Sequence, residues 1–190
     1  MLLWKPSSFR YYVGNDTRPC WPSAAARYCT SDLKRGPISR WLRQTYPTGN
    51  VICAMGLRAE ESPARFKKEG VTVREDCTAA TRHRLTLNWL PIHDWALSDV
   101  WQCIAAHGGQ CHPAYTLGNQ RLSCAFCVLG SVSDLMNGTI HNPETYRELC
   151  RIEAITGYSF RKDFWLSDLK PDLLPEETLI AVHTHKRRIA

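Results

Sequence analysis

A Cys-x-x-Cys pair, Cys124 and Cys127, lies in the segment Arg121–Cys127 and is the clearest chemical signal in this chain. Two intervening residues let both sulfurs turn to the same side, so two thiolates can hold one metal ion or one iron–sulfur cluster. The pair supplies only half of such a site, and the other ligands must come from elsewhere. The spacing therefore predicts metal, sulfur or redox chemistry at this segment.

An upstream cysteine, Cys29, is the best candidate for a third ligand and for a reactive thiol. Lys34 and Arg35 follow it closely, and nearby cations favour the thiolate, which is the form that binds metals or attacks sulfur. The alternative is a cysteine buried at the start of a helix, with two cations facing the solvent.

Three further cysteines are candidates for a fourth ligand, namely Cys20, Cys111 and Cys150. His112 offers an imidazole and Tyr115 a ring that can stack on a ligand, although a lone histidine is more often structural. The remaining cysteines are predicted to pack as small hydrophobic side chains: Cys53, Cys77 and Cys103.

The composition is that of a soluble globular domain with an excess of cations. Of the 190 residues, 44% are hydrophobic and 22% are charged, and no apolar run approaches the length of a membrane span. No signal-peptide pattern opens the chain, so we expect a cytoplasmic protein without a membrane partner. Nine cysteines in a reducing compartment favour metal ligands or catalytic thiols over disulfides. The net charge of +6 favours nucleotides, sulfate or nucleic acid as partners.

The order of predicted elements is strand–helix–strand–helix, which indicates an α/β fold with a mostly parallel sheet. Strands are predicted over 51–55, 71–74 and 84–90, and helices over about 31–45, 60–69, 98–105, 142–156 and from 175 onward. We expect a single domain over 1–190, with its core at about 21–160. An irregular N-terminus (1–20) and a basic C-terminal tail (183–190) flank that core.

Two arginines and a glutamate follow the first predicted strand. Arg58, Glu61 and Arg65 come after Gly56, where ligands of open α/β sheets bind beyond the carboxyl ends of the strands. A helix beginning there adds backbone donors suited to an anion, and Glu61 can orient one arginine through a bidentate pair. The alternative is a solvated helix in which both arginines pair with neighbouring glutamates.

Read together, five motifs resemble the phosphoadenosine phosphosulfate (PAPS) reductase family. They occur in the family's order and cover about 21–160. The motifs are Cys29-Thr30-Ser31-Asp32-Leu33-Lys34-Arg35-Gly36-Pro37, Gly56-x-Arg58-x-x-Glu61-Ser62-x-x-Arg65, Leu90-Pro91-Ile92-x-x-Trp95-x-x-x-Asp99-Val100-Trp101, His112-Pro113-x-Tyr115 and Arg121-x-x-Cys124-x-x-Cys127.

The resemblance implies a partial adenine-nucleotide α-hydrolase-like parallel sheet with helices on both faces and a cysteine-containing C-terminal helical part. It implies a sulfonucleotide reductase or an ATP-dependent sulfur transferase, acting on a sulfonated or adenylylated nucleotide. Cys29, Cys124 and Cys127 match the cysteines that bind a [4Fe–4S] cluster in iron–sulfur members. The implied nucleotide-binding residues are Lys34, Arg35, Arg58, Glu61, Arg65 and Arg121.

Two departures from the family pattern shape the alternatives. No Ser-Gly-Gly-Lys-Asp-Ser-like phosphate loop is present, and Tyr28-Cys29 offers one cysteine where many cluster-binding members carry two. The chain is therefore expected to be the C-terminal part of a longer protein, a split product whose partner completes the site, or a member that has lost catalysis. The alternative function, motivated by the missing loop and the basic tail, is that of a non-catalytic nucleotide- or nucleic-acid-binding subunit of a larger assembly. A third interpretation is a structural domain held together by Zn²⁺.

An incomplete parallel sheet exposes the backbone groups of an edge strand, which pair readily with another chain. We therefore predict that the protein associates with itself or with a partner that completes the sheet. Light scattering at micromolar concentration checks this, and a monodisperse monomer would contradict it.

Overall fold

The computed structural model describes residues 21–162 and 164–189, which divide into two compact units. The first, here called the sheet unit, comprises Tyr28–Cys111. The second, here called the helical unit, comprises the described residues of 21–27 and 112–189. The N-terminus predicted to be irregular (1–20) and Cys20 lie outside the described residues.

The sheet unit contains three strands: β1 (Gly49–Ala54), β2 (Val71–Val73) and β3 (Arg84–Trp89). Their order is β1–β3–β2. β1 runs parallel to β3, with Gly49 opposite Arg84, whereas β2 runs antiparallel to β3. The α/β class is confirmed, and the sheet is mixed.

The antiparallel direction of β2 follows from the short connection to β3. Parallel neighbours need a crossover of about a dozen residues or more, usually a helix, whereas the segment 74–83 contains only the 3₁₀ turn Ala80–Arg82. His83 ends this segment in the left-handed region, at φ 49°. The chain therefore turns back beside β2. The apolar run and the two-residue alternation predicted strands but not their directions.

Helix α1 (Gly36–Thr45) is buried at Ser39 and Leu42, and the Ser39 hydroxyl donates to the Asp76 carboxylate at 2.6 Å in the connection between β2 and β3. The helix continues from the α-helical turn Tyr28–Thr30 and the π-helical turn Ser31–Arg35. Buried Arg84 fixes the other end of α1, because Nη1 lies 3.4 Å from the carbonyl oxygens of Arg43, Tyr46 and Pro47. A cation at the C-terminus of a helix compensates the negative end of the helix dipole.

One face of the sheet is apolar and exposed among the described residues. Side chains from all three strands contribute to it: Ile52, Val71, Val73, Leu85 and Trp89. Helices were expected on both faces of the sheet. The face that carries these five side chains is instead exposed among the described residues.

The predicted helix over 60–69 is replaced by two short turns, a 3₁₀ turn at Ala59–Glu61 and α2 (Pro63–Phe66). Ser62 separates them in an extended conformation, at φ −174° and ψ 157°. The residue before a proline is driven out of the helical region by the proline Cδ, so Pro63 breaks the helix at this position. The unit ends with α3 (Leu97–Ala106), close to the predicted 98–105.

The helical unit contains α4 (Pro113–Thr116), α5 (Val132–His141), α6 (Pro143–Thr156) and α7 (Glu176–Ile189). Its core includes Trp21, Leu135, Tyr146, Leu149 and Phe160. Trp21 and Phe160 meet edge to face at 5.1 Å, and the Trp21 indole donates to the Tyr158 carbonyl at 2.9 Å. α5 was not predicted.

The basic residues near the C-terminus were predicted to form a tail. They instead belong to α7, which continues to Ile189. His185 Nε2 lies 3.0 Å from the Ala154 carbonyl oxygen. Lys186 forms an ion pair with Asp168. These contacts attach α7 to α6 and to the loop between the two helices, so part of the basic charge serves the fold. No helix of the described residues is long and apolar enough to cross a bilayer.

Candidate functional site

Two loops meet at the carboxyl edge of the parallel strands β1 and β3. The Met55 N–H donates to the Trp89 carbonyl at 2.8 Å, and the Ala59 N–H donates to the His93 carbonyl at 2.7 Å. These bonds hold the loop after β1 against the loop after β3. Ligands of open α/β sheets bind beyond this edge.

Arg58 is buried at this edge, with its side chain only 11% exposed. Its guanidinium forms an ion pair with Glu60, and Nη1 lies 3.5 Å from the Trp95 carbonyl oxygen. Glu60 also accepts the Leu97 N–H at 2.9 Å, at the beginning of α3. Arg58 therefore ties the loop after β1 to the loop after β3, and Glu60 compensates its charge.

Arg65 is the accessible arginine of the pair, with a side chain that is 40% exposed. It forms an ion pair with Glu61, whose Oε2 also accepts the Arg58 backbone N–H at 2.9 Å. Burial opposes ionisation of Glu61, but these two donors outweigh it and hold the pKa of that carboxyl below its ordinary value. Both arginines are thus paired within the segment, although Arg58 is buried and the solvated helix of the alternative interpretation is replaced by two short turns.

His93 is a site residue that the sequence did not single out. Its Nε2 lies 3.0 Å from the Arg65 carbonyl oxygen, and its Nδ1 lies 3.1 Å from an Asp94 carboxylate oxygen. Two acceptors facing the two ring nitrogens favour the protonated ring, and the Arg65 carbonyl is the larger cause of a raised His93 pKa. His93 holds the backbone at Arg65 in place.

A cleft of about 410 Å³ is lined in part by Met55 and Leu57 of the loop after β1 and by Leu90 after β3. Its lining combines three apolar side chains, an amide, a hydroxyl, two exposed lysines and a carboxylate. The lining residues are Met55, Leu57, Lys67, Lys68, Glu69, Thr72, Asn88 and Leu90. A concave site with apolar side chains and a few polar groups is typical of small-molecule binding.

Lys34 and Arg35, predicted to serve the same pocket, are exposed side chains of the π-helical turn. Cys29 lies in the preceding turn and is partly buried. The role of Lys34 and Arg35 at the nucleotide pocket stays a prediction.

The Cys-x-x-Cys turn belongs to the helical unit. Cys124 is exposed, Cys127 is partly buried, and neither forms a disulfide. Phe126, between them, packs against the core and stacks on Tyr146 at a ring distance of 6.3 Å. The turn thus keeps its aromatic residue inside and at least one thiol at the surface.

Arginine side chains fix the chain just after the turn. Arg121, predicted to bind nucleotide, donates to the Leu129 carbonyl. Arg161 donates to the Gly130 carbonyl at 3.1 Å, and the Gly130 N–H donates to the Cys127 carbonyl at 2.8 Å. Part of the Arg121 donor capacity is therefore used within this loop.

The cysteines proposed as fourth ligands differ in accessibility. Cys111 is exposed, whereas Cys150 lies fully buried beside Tyr146 and Glu153. Burial raises the pKa of the Cys150 thiol and disfavours the thiolate that a metal requires. Within residues 21–162 and 164–189, no three His, Cys, Asp or Glu side chains are grouped as metal ligands. Cys124 and Cys127 fit a cluster or zinc as two of its ligands.

Comparison with known proteins decides the family. Residues 15–129, more than half of the chain, match the phosphoadenosine phosphosulfate reductase domain. The chain belongs to the phosphoadenosine phosphosulfate reductase family. Membership indicates a nucleotide-related role in sulfur metabolism. The matched range includes both the carboxyl edge of the sheet and the Cys-x-x-Cys turn.

Two curated relatives of this PAPS reductase family member are themselves described as uncharacterized. One is the "Uncharacterized 37.8 kDa protein in gpa 5'region" of Escherichia phage 186, 27% identical over 74% of this chain. The other is YbdN of Escherichia coli K12, 30% identical over 42% of this chain. The chain spans only 41% and 20% of the lengths of these relatives. No solved structure matches the chain.

Proposed function

We propose that this chain is the part of a PAPS-reductase-family protein that binds an adenylylated or sulfonated nucleotide and handles its sulfur. The observation that carries the proposal is the network at the carboxyl edge of β1 and β3. There Arg65 keeps a partly exposed side chain, and the loop after β1 contributes Met55 and Leu57 to a cleft that two lysines also line.

The nucleotide side of the proposal depends on charge and shape. The cleft has room for a small ligand, its apolar side chains suit a base, and Lys67 and Lys68 suit an anion. Arg65 can exchange its pairing with Glu61 for a phosphate or sulfonate oxygen at low cost, because partly exposed ion pairs are weak.

The sulfur side depends on the thiols. In the reductase reaction a cysteine thiolate, for which Cys29 is the candidate, attacks the sulfonate sulfur. A sulfur–sulfur bond forms, the sulfur–oxygen bond to the phosphate breaks, and the nucleotide leaves with the electron pair. A thiol donor then releases sulfite and leaves a disulfide, which a second thiol reduces. Cys124 and Cys127 would hold an iron–sulfur cluster, and the bound cluster supplies redox and electrostatic chemistry.

The direct test is titration of the purified protein with adenosine 5′-phosphosulfate, PAPS and ATP by calorimetry, followed by assays for sulfite and pyrophosphate. We expect binding of at least one nucleotide in the micromolar to millimolar range. Absence of binding by all three would overturn the proposed function.

A second candidate is a subunit that binds nucleotide or nucleic acid without turnover. Exposed Arg187 and Arg188 in the last turn of α7 favour it, because such cations attract phosphate groups without contributing to turnover. Nucleotide binding without sulfite or pyrophosphate release would select this candidate.

Metal content separates the cluster from the zinc alternative. We expect anaerobically purified protein to carry iron and sulfide with a broad absorption band near ~400 nm, and Cys124→Ser or Cys127→Ser to abolish both. Zinc alone, lost in the same variants, would select a zinc-held domain. Cys103→Ser is the matched control, since Cys103 lies on α3 and was predicted to pack.

A partner or a second copy that completes the sheet is part of the proposal. The exposed apolar face formed by Ile52, Val71, Val73, Leu85 and Trp89 supports it, because contiguous apolar surface marks interaction sites. Light scattering of the full chain at micromolar concentration tests this association, and a monodisperse monomer would contradict it.

A further inference from the structure

We propose that α5 is the template that positions the Cys-x-x-Cys turn, with Gly138 and Asp134 as its positioning residues. The inference rests on the proposed role of Cys124 and Cys127 as paired sulfur ligands. It adds which residues outside the motif set the separation and direction of the two thiols.

Gly138 permits a backbone approach that no other residue allows. A Cβ atom built on Gly138 would lie 2.4 Å from the carbonyl oxygen of Ala125, which stands between the two cysteines. Real Cβ atoms stay beyond 3.0 Å from such atoms, so an alanine here would push the turn away by more than half an ångström. The same Cβ would lie 3.4 Å from the Phe126 ring. The centre of the motif therefore rests directly on α5.

Asp134 holds the chain leading into the turn. It lies one helical turn before Gly138, hence on the same side of α5. Its Oδ1 accepts the Gln120 N–H at 2.9 Å, and the carboxylate is 97% buried, since the residue is only 3% exposed. One position before Gly138, Asn137 donates to the Leu117 carbonyl at 2.8 Å. The segment before Cys124 is thus bonded along α5 at two points.

The far side of the turn is held by the core. The Phe126 ring stacks on Tyr146, which is fully buried in α6. Ala125 is therefore confined by Gly138 while Phe126 is confined by Tyr146. A turn fixed on both sides presents its two sulfurs in one arrangement, and ligands held in advance bind a metal more tightly than ligands that must be ordered.

The test uses two probes of the thiol pair, Co²⁺ and phenylarsine oxide, on the full reduced chain. Phenylarsine oxide forms two arsenic–sulfur bonds with a dithiol and releases water, so it reports on the spacing of the two sulfurs without any metal. We expect Gly138→Ala to weaken binding of both probes at least tenfold, with an unchanged alkylation rate at exposed Cys111. Gly70→Ala, which meets nothing within 4 Å, is the matched control.

Asp134 supplies a second variant pair that keeps the proposal testable if Gly138→Ala fails to fold. Asp134→Ala should reproduce the loss of probe binding, and Asp134→Asn should restore it, because asparagine keeps an oxygen for the Gln120 N–H. If folded Gly138→Ala and Asp134→Ala bind both probes as the native chain does, α5 does not position the Cys-x-x-Cys turn and the proposal is overturned. A native chain that binds phenylarsine oxide in a Gly138-dependent way but no Co²⁺ would support the template and count against the metal-binding role.

Discussion

Replacement of Glu153 by alanine should lower the free energy of unfolding by about 4 kcal/mol. Glu153 is fully buried in α6 and accepts three backbone N–H groups of the following loop. The donors are Phe160 and Leu166, each at 2.7 Å, and Ser167 at 3.0 Å. Alanine removes the acceptor of all three donors, and buried donors without partners cost about 1–3 kcal/mol each.

The measurement is urea unfolding at pH 7 followed by circular dichroism. Glu148→Ala is the matched control, because Glu148 lies in the same helix, is 59% exposed and forms only a 3.7 Å pair with Arg151. Exposed pairs of this kind contribute about 0–1 kcal/mol, so the control should stay close to the native value. Equal stability of the two variants would show that the three bonds to Glu153 do not hold the loop.

The same residue gives a pH dependence with a defined sign. Burial raises the pKa of Glu153 above its ordinary value of 4.5, although the three backbone donors oppose the rise. The folded chain then binds a proton more tightly than the unfolded chain, so this contribution to stability is complete below pH 4.5 and is lost as the pH rises through the folded pKa. Glu153→Gln cannot titrate, so its stability relative to the native chain should improve across that window. A constant difference from pH 4 to 8 would contradict the raised pKa.

Replacement of Arg65 by alanine should weaken sulfonucleotide binding about tenfold or more while leaving stability nearly unchanged. A charge-assisted hydrogen bond to an anionic ligand contributes about 1.5–3 kcal/mol. The Arg65 pair with Glu61 is partly exposed, so its loss should cost at most about 1 kcal/mol of folding free energy. Calorimetric titration and urea unfolding of the same preparation measure the two effects.

Arg58→Ala should affect folding stability more than sulfonucleotide binding, which is the reverse of Arg65→Ala. Arg58 is 11% exposed and joins Glu60 to the Trp95 carbonyl, so its loss should lower the free energy of unfolding by about 2–3 kcal/mol. Arg82→Ala is the control for charge alone, since Arg82 is exposed before β3 at the opposite edge of the sheet. If Arg82→Ala weakens binding as much as Arg65→Ala does, the ligand responds to net charge and Arg65 has no specific role.

The local patterns of the sequence predicted most elements of the sheet unit. Continuous apolar residues before Gly56 and the alternation at Leu85, Leu87 and Trp89 predicted β1 and β3, because these patterns depend on the fixed period of a strand. Pro143 and Gly157 predicted the ends of α6, and Gly157 has the positive φ of 70° that favours glycine after a helix. The helix over 60–69 was wrong because the restriction that Pro63 places on Ser62 outweighed the charge pattern.

The family motifs, read in order, determined the class of protein and the residue types of both candidate sites. Tertiary structure alone decided which arginine is accessible. Arg58 and Arg65 are alike in sequence, but only Arg58 is covered by the loop after β3. It also decided the partners of Glu153, which lie up to fourteen residues away along the chain. No helix was predicted around Gly138, and the role of this glycine depends on the Ala125 carbonyl that folding places against it. Periodicity and motifs are properties of neighbouring residues, whereas burial and close approach depend on groups that are distant in sequence and meet only in the folded chain.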